Sequence, residues 1–172
     1  MKNLAPILAL LSSTRSQLIA SADAFPSDRW RTAPTEGKWS AAQIVVHTMQ
    51  VEESIIRASK KTVQKSPYSV PFFKRVHLPL ALAAGRVRKL KSPIAIDESR
   101  VPVQSEYAEK ITATRRGTLE FIDETRSRDL HPYTFPHPVF GPLNIYDWFR
   151  LIAYHELRHA KQIREVAEIF HR

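Results

Sequence analysis

The residues best placed to do chemistry are histidines. His155 and His159 stand four residues apart, which on a helix sets them about 40° apart around the axis and about 6 Å apart along it. Two imidazoles so placed can converge on one ion at metal–nitrogen distances of about 2.0–2.1 Å. His47 lies far away in sequence, on a second apolar stripe with Ile44, Val51 and Ile55. A nitrogen from a facing helix is the usual way in which bundles complete such a site. Imidazole donors suit Zn, Ni, Cu or Fe, and three neutral ones leave the ion positive with positions open for water or substrate. The bland alternative is three core histidines, each hydrogen-bonded locally. A matched pair and single on two inward stripes favours a site, because buried imidazoles need partners. His131 and His137 in Pro-rich loops, His77 in a basic stretch and His171 near the end of the chain read as structural or solvated.

The run His155-Glu156-Leu157-Arg158-His159 also spells HExxH, with Glu156 where a zinc protease keeps its general base. Such an enzyme needs a third ligand downstream. Only 13 residues follow His159, Glu165 and Glu168 are the nearest carboxylates, and Gln162 stands where the extended motif has Gly. Protease is the weaker reading. The absence of Cys excludes disulfides, iron–sulfur clusters, thiolate zinc sites and a Cys nucleophile. It also agrees with a reducing, cytoplasmic setting. With four glycines and neither GxGxxG nor GxxxxGK, no phosphate-cradling loop is expected.

Positioning these histidines is a task for helices. The chain has 172 residues, 43% of them apolar, as expected for one globular domain spanning 1–172. Leu4, Ile7, Leu8, Leu11, Leu18, Ile19 and Ala22 fall at helical spacing, broken only at Thr14-Arg15. This reads as a first amphipathic helix, with a secretory signal as the minor alternative. Ser40 and Gln43 have capping-box spacing ahead of a second helix, about Ala41 to Lys61. Prolines 67, 71, 79, 93 and 102 then break the chain, leaving room for a helical piece from about Pro79 to Lys89. A third helix is expected from about Ser105 to Arg126, with Tyr107, Ile111, Thr114, Thr118 and Ile122 on one face. Asn144 can cap a fourth, whose inward face is Trp148, Leu151, Ile152, His155, His159, Gln162, Ile163 and Val166. No segment alternates with period two, so no sheet of consequence is expected. The fold class is all-α, a four-helix bundle with a long connection between helices two and three.

The net charge is +9, and it is unevenly spread. Residues 54–96 hold ten of the 26 basic residues and no acidic one, leaving 16 basic against 17 acidic elsewhere. Phe72, Phe73, Leu78, Leu80 and Leu82 interleave with these charges, as in a stretch that docks on a membrane surface or an anionic partner. The plainer reading is a solvated excursion packed on the bundle. No zinc finger, RRM motif or heptad-bearing basic region points to nucleic acid, and no run approaches the eighteen or so apolar residues of a membrane span.

Two stretches together resemble the DinB-like superfamily of bacterial metalloenzymes. One is Trp30 and Pro34 followed by Gly37-Lys38-Trp39-Ser40, Gln43-Ile44 and His47; the other is His137-Pro138, Phe140-Gly141-Pro142, Asn144, Trp148, His155, Arg158-His159 and Gln162-Ile163. The resemblance implies a four-helix bundle and a metal triad of His47, His155 and His159, holding a divalent ion such as Zn, Ni or Fe. It further implies action on a small molecule by thiol transfer or hydrolysis, through a metal-bound thiolate or water and with a low-molecular-weight thiol as a possible cosubstrate. It names no catalytic proton-transfer residue. The rival expectation is a non-catalytic bundle that binds through residues 54–96. The expected partners are a small-molecule substrate, no specific nucleic acid and no transmembrane segment, with a homodimer as one possible assembly. The ion is expected between helices two and four, facing a cleft lined by apolar side chains of helices one and three.

Overall fold

At the start of the helix α2 (Ala41–Thr62), the Ser40 hydroxyl accepts the Gln43 N–H at 3.2 Å and the Gln43 side chain accepts the Ser40 N–H at 2.9 Å. The expected capping box is therefore closed in both directions. These details come from a computed structural model, which describes residues 3–67, 79–85 and 94–171. The other helices are α1 (Ala5–Asp23), α3 (Tyr107–Glu124) and α4 (Ile145–Phe170). Asn144 caps α4 by accepting the Asp147 N–H at 3.1 Å. α1 packs along α4, α4 against α2, and α2 against α3. The result is the expected four-helix bundle, with α1 in its core through Ile7, Leu11, Leu18 and Ala22.

The connection from α2 to α3 returns to the bundle at both of its described parts. Ala84 is buried, and its carbonyl accepts from Lys161 of α4 at 3.3 Å. Further on, Arg100 grips Glu53 of α2 through two bonds of 2.6 and 2.8 Å, and the Trp30 indole donates to Pro102 O at 2.9 Å. Of the helical piece expected over Pro79–Lys89, the described part forms a 3-10 turn at Leu80–Ala84 and is extended at Gly85. Residues 86–89 and most of the basic stretch lie outside the described residues. Arg57, Lys60, Lys61 and Lys65, which are described, are exposed at the end of α2, where cations complement the helix dipole.

Among the described residues no sheet of consequence forms, as expected, but one short hairpin does. Thr134–His137 (β1) and Gly141–Asn144 (β2) form an antiparallel hairpin in which Pro136 faces Pro142. Prolines have no N–H, so two placed opposite each other suit a pair from which the ladder requires no donor. Four-residue strands carrying these prolines show no alternation for a sequence pattern to detect. Gly141 adopts φ 71°, the left-handed conformation that glycine accepts without strain, as it leaves the hairpin tip.

The core is in two parts. One holds Ile7, Leu11, Ile55, Phe121, Leu143, Phe149 and Ile152. The other holds Leu18, Trp30, Ile44, Val45, Tyr107, Ile111, Ala160 and Ile163. Between them each helix contributes one buried charge: Arg15, Glu52, Arg115 and Glu156. Arg15 Nη2 lies 2.6 Å from Glu52 and 2.6 Å from Glu156, while Arg115 lies 2.7 Å from Glu52 and 2.8 Å from Glu156. The Arg15–Glu156 approach is an ion contact off the hydrogen-bond direction. Thr118 donates to Glu52 at 2.6 Å and Thr14 to Glu156 at 3.1 Å, while the arginines also donate to the carbonyls of Ile111 and Leu11. On α3 the buried position is therefore Arg115, and the expected Thr114 is only half-buried, reaching Glu53 at 3.4 Å.

Breaking such a buried set strands a charge. Glu156→Gln is expected to destabilise by about 3–5 kcal/mol. Arg100→Ala breaks the half-exposed pair with Glu53 and should cost about 1 kcal/mol or less. Urea denaturation of both variants tests this, and equal losses would show that the four-charge layer has no special weight.

Candidate metal centre

His47 is carried by the second turn of α2, and His155 and His159 by the middle of α4, the helix against which α2 packs. One nitrogen from each of the three rings lies within 4.8 Å of the others, and among the described residues no other such group of His, Cys, Asp or Glu forms. Ring centroids are 5.1 Å apart for His47–His155, 4.9 Å for His47–His159 and 4.4 Å for His155–His159. The Nε2 atoms of His155 and His159 approach to 3.0 Å. The helical spacing thus brings together the three histidines that the sequence singled out.

The surroundings keep all three rings neutral. Burial pushes His47 down to about 4. Burial, then the charges that His47 and Arg158 would add, push His155 down to about 3. His159 is lowered well below its ordinary value by burial and by its two histidine neighbours. His155 is crowded by neighbouring atoms yet keeps part of its surface in solvent, so it marks the open side; His47 and His159 are buried. His159 Nδ1 lies 2.8 Å from Gln162 Oε1. With that oxygen accepting, Nδ1 carries the ring hydrogen and Nε2 keeps its lone pair. Trp39, ahead of the α2 cap, closes one side with its ring 4.7 Å from His47 and 6.4 Å from His159.

This donor set fits a transition ion. Two nitrogens each about 2.1 Å from one ion are about 3.0 Å apart at a right angle and about 3.4 Å apart at a tetrahedral one; the His155–His159 pair is already at the lower value. His47 Nδ1 is buried with no hydrogen-bond partner. Buried ring nitrogens usually have one.

Glu156 faces elsewhere. It is 1% exposed and belongs to the four-charge layer. Burial raises its carboxyl, while Arg115 and Arg15 pull it down. Both of its oxygens are engaged by those arginines, away from the histidines, so the HExxH spelling assigns it no general-base role. Helices one and three send Arg15 and Arg115 inward to Glu52 and Glu156. Trp39 is one side chain that packs on the histidines. His131 pairs with Asp129 on the surface at 2.7 Å, and His137 sits in the hairpin. His77 lies outside the described residues. Sequence reasoning missed Glu52 and Arg115 altogether. A detectable signal was that each is a charged residue on an otherwise buried stripe.

A bundle with three neutral histidines gathered between two of its helices is the class of protein defined by this geometry. The family model of the DinB superfamily matches residues 10–163, and the chain belongs to that superfamily. It is 25% identical over 136 residues to the uncharacterized protein YuaE of Bacillus subtilis (strain 168), covering 78% of this chain and 81% of that protein. Its fold is similar to the crystal structure of TT2238, a four-helix bundle protein, with TM-score 0.60 and 22% identity over 95% of this chain and 99% of that one. Among the described residues, no helix is long and apolar enough to cross a membrane.

The buried neutral rings carry a pH signature. Their folded values lie below the reference near 6.5, so they contribute stability that is full above about pH 6.5 and is lost as pH falls toward 4 and 3. In metal-free protein the urea midpoint should drop over this window, and His47→Gln should make the drop shallower. Parallel pH dependence in the two proteins would show that His47 is not a buried neutral ring.

Proposed function

We propose that His47, His155 and His159 together hold one divalent transition ion, Zn, Ni or Fe, and that the protein is an enzyme acting on a small molecule by thiol transfer or hydrolysis. The observation that carries this reading is the convergence of three neutral imidazoles, one of them partly open to solvent, with a buried ring nitrogen left unpartnered. Membership of the DinB superfamily supports it. An ion held by three neutral donors supplies Lewis acidity, which lowers the pKa of a bound thiol or water toward neutrality.

The chain's own residues supply the rest. His47 and His159 bind from the buried side, and Gln162 holds the His159 ring in the tautomer that leaves Nε2 free to ligate. Trp39 excludes water from the flank of the His47 and His159 rings. Because the sequence has no Cys, a thiol must arrive as a separate small molecule, which agrees with a cytoplasmic setting. The three histidines are neutral donors, so a divalent ion held by them alone would keep its positive charge and attract anionic or electron-rich groups.

Protein purified without a histidine tag should carry close to one equivalent of transition metal. His155→Ala should lose most of it while its circular dichroism stays helical, and acidification below about pH 6.5 should release the ion as imidazoles protonate. Full metal content in His155→Ala would overturn the assignment. Absence of metal, joined to salt-sensitive binding of anionic vesicles, would favour the non-catalytic reading through residues 54–96.

A further inference from the structure

His137 lies outside the three-histidine cluster, and the chemistry above leaves it unused. Its ring is held in one defined state. Nδ1 accepts the backbone N–H of Val139 at 3.0 Å and that of Phe140 at 3.1 Å. A nitrogen that receives two donors must keep its lone pair, so the neutral ring carries its hydrogen on Nε2. The ring is wedged between Phe140, 5.0 Å away, and Trp148, 5.4 Å away. Trp148 in turn stacks on Phe135 at 4.2 Å with the planes 7° apart, and its indole donates to Phe135 O at 3.3 Å.

Trp148 stands seven residues before His155, which places the two about 20° apart on the same stripe of α4. The hairpin is thus seated on the row of α4 that carries the histidines, on the side toward His155, the partly open member. A charge on His137 would be felt at His155, consistent with their nearness. The outcome is a neutral ring whose N–H is Nε2, packed on the α4 stripe that carries His155.

Resting on the reading that the cluster holds an ion, we propose that His137 Nε2–H donates a hydrogen bond to a carboxylate or carbonyl oxygen of the substrate. His137 then selects ligands that carry such an acceptor next to the group that meets the ion. A purely structural role would end at Nδ1, which fastens the hairpin tip.

Asn can separate the two roles. Its side-chain oxygen accepts N–H groups two and three residues ahead in the same way, so His137→Asn keeps the tip and removes the Nε2 donor. Cobalt-loaded protein is titrated with mercaptoacetate and with 2-mercaptoethanol, and binding is followed in the visible spectrum. His137→Asn should weaken mercaptoacetate about tenfold and leave 2-mercaptoethanol unchanged, as for the loss of one charge-assisted bond. Equal weakening of both thiols, or of neither, overturns this assignment alone. Failure to take up cobalt overturns the metal reading and this assignment with it. If the variant does not fold, proton–nitrogen correlation spectra of wild type decide instead. The Nε2–H tautomer is expected, with a signal that moves on adding mercaptoacetate, and an Nδ1–H tautomer or an unmoved signal overturns the proposal.

Discussion

Charge buried in a protein must be paired where it lies, and in this bundle that requirement acts on all four helices at once. The two acids, Glu52 and Glu156, come from α2 and α4, which also carry the histidines; the two bases, Arg15 and Arg115, come from α1 and α3. Each arginine touches both acids. Sliding α2 by one residue against α4 would break contacts to both guanidiniums, leaving ions unpaired between two apolar layers. The layer is therefore a register device, and what it registers is the pair of helices whose alignment brings His47 to His155 and His159. Apolar packing above and below tolerates small shifts; a closed ring of ion contacts does not.

The histidines gain from this alignment a property that none has alone. Burial lowers the proton affinity of each ring, and at His155 and His159 the neighbouring imidazoles lower it further, so the cluster is a set of lone pairs that avoids protonation at neutral pH. A cation with vacant orbitals suits such a set better than a proton does. Gln162 and Trp39 pack on the buried members, and the hairpin is seated on Trp148 of the same α4 stripe. Hydrophobic packing and helix capping fix the two helices that bring the three nitrogens together.

Much of this was legible in the sequence. The two histidine stripes, the Ser40–Gln43 capping box, the Asn144 cap and the long second connection report directly on helix phase and helix ends, where local chemistry decides. The break of the α1 stripe at Thr14-Arg15 is the four-charge layer seen from one helix. Its meaning was hidden because the acids that answer Arg15 lie on other helices, and pairing across a bundle leaves no local pattern. For the same reason Glu156 read as part of an HExxH motif, although one residue of helical rotation turns it from the histidines to the arginines. The hairpin escaped because its prolines, ordinarily a mark against strands, face each other. The state of the His137 ring depends on which nitrogen receives two backbone donors, and that is set only by the folded hairpin.

The dependence of the histidine cluster on the four-charge layer can be measured most directly as a metal affinity. Cobalt binding is compared by competition with a chelator in wild type and in Glu52→Gln, under conditions where circular dichroism shows both proteins folded. Glu52 is buried, and its hydrogen bonds go to Arg15, Arg115 and Thr118 rather than to a histidine, so the variant probes the support that the layer gives α2. Expected is a loss of about tenfold or more in affinity, the scale of disturbed support around a metal site. Unchanged affinity in the folded variant would show that the histidines find one another without the ion layer.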